Sequence, residues 1–395
     1  MKRKRPSLRI AADRLLCRPA FGIPFFFAVL AVVFSLSFYG IGDVLSRFLE
    51  RVLLRRGRVA EELLLRHGAP PSAIRYLIVG IYDALASSIA FLPQTVIFFL
   101  LIRILEDCGY LSRAVLVTDR FFRIFGLSGT AVIPLLLGYG CAVSSVCICC
   151  SQPAQKNAVI RALPFVPCSA RVPVLLFLAD TFFPDCKTVF CVSVFILSFV
   201  LIFLTLLIAP RGKVDAPAHT EDLPEYRMPR VRNLLSEVFD TARGYLLRAG
   251  TAVGICSAVC SALAMLTPSL APAGDIHRSI LYVLATGIAP ILRPLGFASP
   301  EAAAALFFGF FAKENIIGVL QISAASDLSQ LFTPISAASF TVFAMFYAPC
   351  ASLLVTVARQ SGGAAARRLF WRTFAIAYTL SFILYTMLYI LVPCC

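Results

Sequence analysis

Apolar runs of about 20 residues, separated by short polar connections, fill the chain from Phe21 onward. A helix of about 20 residues rises about 30 Å, the thickness of a bilayer's hydrocarbon core, so each run is long enough to cross a membrane. The runs cover 21–42, 76–105, 127–149, 159–179, 187–209, 245–266, 279–297, 302–324, 334–357 and 370–392. The pattern predicts an all-α polytopic membrane protein of about 8–10 membrane segments, two repeats of which contain broken or re-entrant helices. The first run, "FGIPFFFAVLAVVFSLSFYG", is too long for a signal-peptide core and lacks a small-residue cleavage site, so a retained transmembrane helix is expected.

The polar connections divide the chain. Residues 1–75 hold a basic N-terminus, the first span and an amphipathic stretch, "RRGRVAEELLLRHGAPP", that predicts a surface helix ending at Gly68. Residues 76–210 and 245–358 are two repeats, 211–244 a basic linker, and 359–395 a C-terminal transmembrane helix. Counting every run as a full crossing from a cytoplasmic N-terminus puts the basic linker outside, against the bias of Lys and Arg toward the cytoplasm. A segment 127–149 that dips in and returns brings it back, and Pro134, Gly138 and Gly140 interrupt that run. Treating 302–324 alike would move Arg367 and Arg368 outside, so pattern alone leaves the number of crossings open.

The repeat is legible in the residues. "RIFGLSGTAVIPLLLGYGCAV" from Arg123 aligns with "RPLGFASPEAAAALFFGFFAKE" from Arg293, matching Arg123 to Arg293, Gly126 to Gly296 and, with one insertion, Gly138 to Gly309. "PFVPCSARVPVLL" parallels "MFYAPCASLLVTV", so Pro167-Cys168 matches Pro349-Cys350. Duplicated broken-helix units are the sequence mark of transporters with a midplane site between repeats.

Composition agrees with a membrane protein. Of 395 residues 59% are hydrophobic and 14% charged, and the mean hydropathy is +0.85. Soluble domains are nearer one quarter charged. The net charge of +15 fits cytoplasmic loops and an anchor, "MKRKRPSLR". No aromatic-interleaved basic module speaks for nucleic acid. Fourteen cysteines in so apolar a chain do not make a secreted disulfide framework, and most are expected to pack as small hydrophobes.

Chemistry is expected at the breaks, because interrupted backbone inside a bilayer must line a cavity or meet a partner. Gly138 and Gly140 precede Cys141, Gly309 precedes Lys313-Glu314, and Cys168 and Cys350 each follow a proline that frees a carbonyl one turn earlier. A carboxylate at Glu314's depth costs about 2.5–3.5 kcal/mol on insertion scales, which favours function over mere packing, although a self-neutralising Lys313–Glu314 pair is the bland alternative. Glu106 and Asp107 end another run near Arg103 and Arg113, where an interfacial cluster is an equal contender. Thiols with carboxylates suit a borderline divalent transition metal such as Fe²⁺ and suit Mg²⁺ or Ca²⁺ poorly. "CICC" at Cys147–Cys150 lacks CxxC spacing and predicts packing or lipid-facing thiols. His67, His219 and His277 all fall in loops. There is no GxxxxGK[ST], HExxH or GxSxG, so no hydrolase is indicated.

At these residues the chain resembles the membrane part of the ferrous iron transport protein B (FeoB) family. "DRLLCRPAFGIPFFFAV", "FLPQTVIFFLLIRILEDCGYLSRAVLVTDR", "PLLLGYGCAV", "PFVPCSARVPV", "GFFAKE" and "YAPC" follow in that family's order. The resemblance implies two Gate domains of the nucleoside-recognition type. It further implies a non-enzymatic Fe²⁺ permease of a prokaryotic inner membrane with a cytoplasmic N-terminus. No cofactor is held permanently. The implied Fe²⁺ path uses Cys141, Cys168, Cys350, Glu106 and Glu314, with Gly138, Gly140, Gly309, Pro167 and Pro349 as backbone breaks. The family's GTP-binding domain precedes the first membrane helix, and here only about 20 residues do. Nucleotide control would then come from a separate GTPase subunit, with a small accessory protein or homo-oligomer as further partners beside the lipid bilayer. Where the family usually reads Asn-Val-Pro after its first gate cysteine, this chain has Ala142-Val143-Ser144. The alternatives are a Gate transporter of a nucleoside or other small organic solute, and a non-transporting membrane subunit.

Overall fold

The computed structural model describes residues 17–68, 70, 74, 78, 82–90, 92–148, 153–209, 243, 258–259, 262–263, 265–267, 278–311, 313, 315–323, 328 and 331–391. Most of the expected linker and of the 245–266 segment therefore lies outside the described residues, as do Cys149, Cys150, His219, His277 and Glu314. Among the described residues the extended regular elements are helices: α1 Pro19–Phe34, α2 Ile41–Arg66, α3 Asp83–Ala90, α4 Leu92–Asp107, α5 Tyr110–Arg123, α6 Val132–Gly140, α7 Ala142–Ile148, α8 Pro153–Ala162, α9 Val172–Phe182, α10 Lys187–Ile208, α11 Ile280–Leu292, α12 Pro300–Phe311, α13 Asn315–Ser323, α14 Pro334–Phe346, α15 Ala351–Ser361 and α16 Gly363–Leu391. The all-α membrane architecture is as expected.

Among the described residues, four continuous helical runs are long and apolar enough to cross a membrane: 20–66, Lys187–Ile208, Pro334–Ser361 and Gly363–Leu391. The pair of α11 and α12, bent by 100° between residues 295 and 300, is long and apolar enough only when taken together, as one broken span or a re-entrant loop. The outward residues of α10 and α16, including Val192, Ile196 and Val200 on one and Ile383, Met387 and Ile390 on the other, are exposed. Apolar exposure on this scale suits hydrocarbon rather than water. The amphipathic helix α2 begins earlier than its polar stretch, at Ile41, and ends near Gly68, which takes a positive φ of 74°.

The chain folds into two compact units that interleave along the sequence: residues 1–46, 93–166 and 201–243 form one, and 47–92, 167–200 and 244–395 the other. In the first unit, Val33, Phe98, Phe99, Ile102 and Leu137 form a closed apolar cluster. The loop before α6 is pinned there, because the Gly129 N–H donates to Asp119 Oδ1 at 2.8 Å and Gln155 Nε2 donates to Ser128 Oγ at 2.9 Å. In the second unit α14 is buried along its whole inner length from Ser336 to Phe346. Its start is fixed by a capping box between Thr333 and Ser336. Ser339 Oγ lies 2.7 Å from Leu295 O and 2.7 Å from Ser381 Oγ, tying α14 to α16 and to the turn after α11.

Candidate functional site

The first break is a helical hairpin. Ser145 Oγ on α7 donates to the Pro134 carbonyl on α6. Eleven residues along an unbroken helix would be about 16.5 Å apart, so the chain reverses between them. The reversal is at Cys141, whose backbone is extended (φ −152°, ψ 117°). The 127–149 segment therefore turns back on itself, as the interrupted pattern suggested. Its glycines act differently from the expectation of irregular backbone at residues 138–140. Both lie within α6, and they permit close approach: a Cβ at Gly138 would stand 2.9 Å from Leu163 Cδ2, and one at Gly140 only 2.4 Å from Phe98 Cδ1. Cys141 is half-buried against the Phe98 cluster.

The second copy breaks at the matching place. Between α12 and α13 stands Lys313, in a turn. Gly309 again lets a neighbour in, because its Cβ would meet Ile316 Cγ1 at 2.3 Å. Lys313 is 3% exposed. Its Nζ is 3.4 Å from the Ala344 carbonyl and 3.7 Å from the centre of the Tyr347 ring. Tyr347 in turn donates its hydroxyl to the Leu306 carbonyl. The Ala344 carbonyl is among the last four of α14, which lack partners within their own helix. The lysine thus answers the helix C-terminus, where positive charge is favoured.

The two Pro-Cys motifs break the chain fully rather than kinking a helix. After Pro167 the carbonyl of Cys168 accepts from the N–H groups of Arg171 and Val172, and after Pro349 that of Cys350 accepts from Leu353 and Leu354. Each proline removes an N–H donor; Cys350 caps the start of α15, and Cys168 begins the turn that leads to α9, whose cap is Arg171. Both thiols stand within electrostatic reach of Lys313, as does the guanidinium of Arg171, which is 5% exposed. Lys313 and Tyr347 are in direct contact in the second unit, to which Cys168, Cys350 and Arg171 also belong. Cys141 belongs to the first unit. All three cysteines are thiols, not halves of disulfides.

Glu106 is placed otherwise. Its carboxylate pairs with Arg103 at 2.8 Å near the end of α4, with 47% of the side chain exposed. That is the interfacial arrangement weighed from the sequence, and we leave Glu106 out of the path proposed below. Glu314 lies outside the described residues. Among the described residues no three His, Cys, Asp or Glu side chains gather as a metal cage would require. Arg171 and Tyr347 were not singled out from the sequence. A charge inside "PFVPCSARVPVLL" was signal enough for the first. Nothing in the apolar "MFYAPC" marks the second.

The comparisons agree with this architecture. The family model described as Gate, nucleoside recognition, matches residues 88–182 and 190–364. A protein named Fe(2+) transporter FeoB from Staphylococcus aureus (strain COL) is 30% identical over 380 residues, covering 93% of this chain and 56% of its own. Proteins of the same name from Methanocaldococcus jannaschii and Salmonella typhi are 27% and 26% identical, over 76% and 94% of this chain. The chain spans about half the length of these curated relatives. No solved structure matches it. By the two stretches of the family model, which together cover more than half of it, the chain belongs to the Gate, nucleoside-recognition, family, and it is similar over nearly its whole length to proteins named Fe(2+) transporter FeoB.

Proposed function

We propose that this chain is a membrane permease for ferrous iron or a similar divalent transition metal. The observation that carries it is the pair of Pro-Cys breaks, which hold Cys168 and Cys350 outside regular helix in the same unit as Lys313. Thiols are soft donors that select borderline transition metals over Mg²⁺ and Ca²⁺. The names of the relatives point to the same cargo. Fe²⁺ is the substrate of this path, passed between Cys141, Cys168, Cys350 and Glu314 as the breaks at Gly138–Gly140, Gly309, Pro167 and Pro349 move. The setting is a prokaryotic inner membrane, with the N-terminus cytoplasmic. Control by a separate GTPase subunit belongs to the proposal, as do a small accessory protein and a homo-oligomer.

A second reading, transport of a nucleoside or other small organic solute, is favoured by the description of the matching family model. Against it stands the scarcity of polar residues in the sequence of the breaks themselves, since such solutes need several convergent hydrogen-bonding groups. The deciding test is Fe²⁺ uptake into proteoliposomes holding the purified protein alone, under anaerobic reductant, with Mn²⁺, Zn²⁺, Mg²⁺ and a radiolabelled nucleoside in parallel. Saturable Fe²⁺ entry supports the permease. Nucleoside entry without metal entry overturns it, and entry only after a GTPase chain is added assigns the control to a partner.

A further inference from the structure

From Arg47 onward the helix α2 has two unlike sides. One carries Gly57, which is buried, with Leu49, Leu53, Ala60 and Leu64, which are half-buried. Tyr82 holds that side, donating its hydroxyl to the Leu53 carbonyl at 2.8 Å. The opposite side carries a row of exposed arginines, Arg47, Arg51, Arg55 and Arg58. At about 100° per residue the four fall within about 80° of one another. Beside the row runs an apolar strip, in which Phe48, Val59 and Leu63 are 59%, 56% and 56% exposed. Glu50 and Glu61 fall on the other flank of the row, away from the strip, and Glu62 alone interrupts it.

The place of this helix in the chain says what meets that side. α1 and the π-helical turn Ser35–Tyr39 use about 20 residues, enough to cross the hydrocarbon. Gly40 then leaves helical conformation, with φ −100° and ψ −123°. The chain has reached the headgroups where α2 begins, and arginines at every turn keep α2 out of the hydrocarbon itself.

We propose that residues 47–66 are a binding surface for anionic phospholipid, with α2 lying along the bilayer, its arginine row on headgroup phosphates and its apolar strip in the acyl boundary. The proposal does not rest on the permease reading. Water would leave the strip exposed and hydrocarbon would strand the arginines, whereas the boundary between them suits both at once. A guanidinium presents a planar fork that matches phosphate oxygens, and its methylene stem can lie on the strip while its head stays wet. Arg51 uses its Nε on the Arg47 carbonyl, at 3.2 Å, so the fork of terminal nitrogens is the part a phosphate takes. A soluble acidic partner would answer the arginines alone. The strip instead continues an apolar exposure that runs along the chain from the span before it, where Phe25, Phe27 and Val32 are exposed too.

The test reads depth along the helix. The chain has one tryptophan, Trp371, so Trp371→Phe is a silent background for Phe48→Trp, Val59→Trp and Leu63→Trp, made one at a time. Each full chain is reconstituted into bilayers of phosphatidylcholine, with or without phosphatidylglycerol, brominated near the headgroup end of the acyl chains. Quenching is expected at all three positions to within about twofold, and at least about twofold stronger with phosphatidylglycerol present. High salt should remove that preference without any change to the arginines. Arg51→Gln, Arg55→Gln and Arg58→Gln together should remove it as well, while lysine at the same three positions should keep it. Quenching absent at positions 59 and 63 would mean that α2 leaves the bilayer, and would overturn the proposal. Quenching alike in the two lipids and indifferent to salt would overturn it too, leaving an apolar contact without recognition of the headgroup.

Discussion

Gly126 and Gly296 hold one position in two copies of the same unit. Each takes a positive φ, 70° and 86°, and each donates its N–H to the carbonyl of an arginine three residues earlier, Arg123 or Arg293, at 3.0 and 3.1 Å. Only glycine adopts that backbone without penalty. The equivalence inferred from sequence is therefore repeated in backbone geometry, and the hairpin and the broken segment that follow occupy corresponding places. Duplication explains why one fold carries two breaks of different chemistry, Cys141 in the first and Lys313 in the second.

Alanine at Gly296 should be costly for two reasons. A Cβ there would lie 2.0 Å from Cε2 of Tyr385, so steric conflict adds to the strain of positive φ. Backbone strain of about 1–2 kcal/mol is expected, with a further 1–3 kcal/mol of overpacking. Thermal unfolding in detergent should place Gly296→Ala below wild type. Adding Tyr385→Ala to Gly296→Ala should recover part of the loss relative to Tyr385→Ala alone. Strictly additive losses would contradict the clash with Tyr385.

Gly140→Ala tests close approach within the first hairpin. Its new methyl would press on the Phe98 ring, which is fully buried and has nowhere to turn. A loss of about 1–3 kcal/mol follows. Phe98→Leu, destabilising alone, should interact favourably with Gly140→Ala in a double-mutant cycle, since the two changes share one space. Additive losses would mean that the ring is not what Gly140 accommodates.

Much of this architecture was legible in the sequence, for a physical reason. Hydropathy reports span length, so α10 at Lys187–Ile208 lies almost where the 187–209 run put it. Gly126, Gly296 and the Pro-Cys pairs are backbone statements, and backbone rules are local. What was not legible depends on residues far apart in the chain. Gly138 and Gly140 looked like sites of irregular backbone, yet their role is set by Leu163 and Phe98. Lys313 drew attention in the sequence only as the neighbour of Glu314, and its contact with Ala344, 31 residues away, is invisible there. An isolated carboxylate at a helix end reads alike whether it guards a path or pairs with Arg103, and only the position of Glu106 separates the two.

Glu106 therefore makes a discriminating control. Exposed ion pairs contribute about 0–1 kcal/mol, so Glu106→Gln should leave both melting temperature and Fe²⁺ uptake within about twofold of wild type. Glu314→Gln removes a carboxylate of the proposed path and should reduce uptake at least about tenfold, on the scale of changes close to a metal ligand. A strong uptake defect in Glu106→Gln with unaltered melting would return that residue to the path.

The thiols provide the last test. Serine is close in size to cysteine but is a hard oxygen donor, so a serine substitution alters the donor while nearly conserving volume. If the breaks carry metal, Cys141→Ser, Cys168→Ser and Cys350→Ser should each lower Fe²⁺ uptake by about tenfold or more, with the loss smaller for Mn²⁺, which depends less on sulfur. Cys147 is exposed, and Cys147→Ser should transport like wild type. If Cys168 and Cys350 bind the same ion along the path, Cys168→Ser and Cys350→Ser should fall short of additivity, whereas residues far apart usually add. Additive effects would separate Cys168 from Cys350. Full uptake by all three single variants would show that the thiols pack the breaks and that selectivity resides elsewhere.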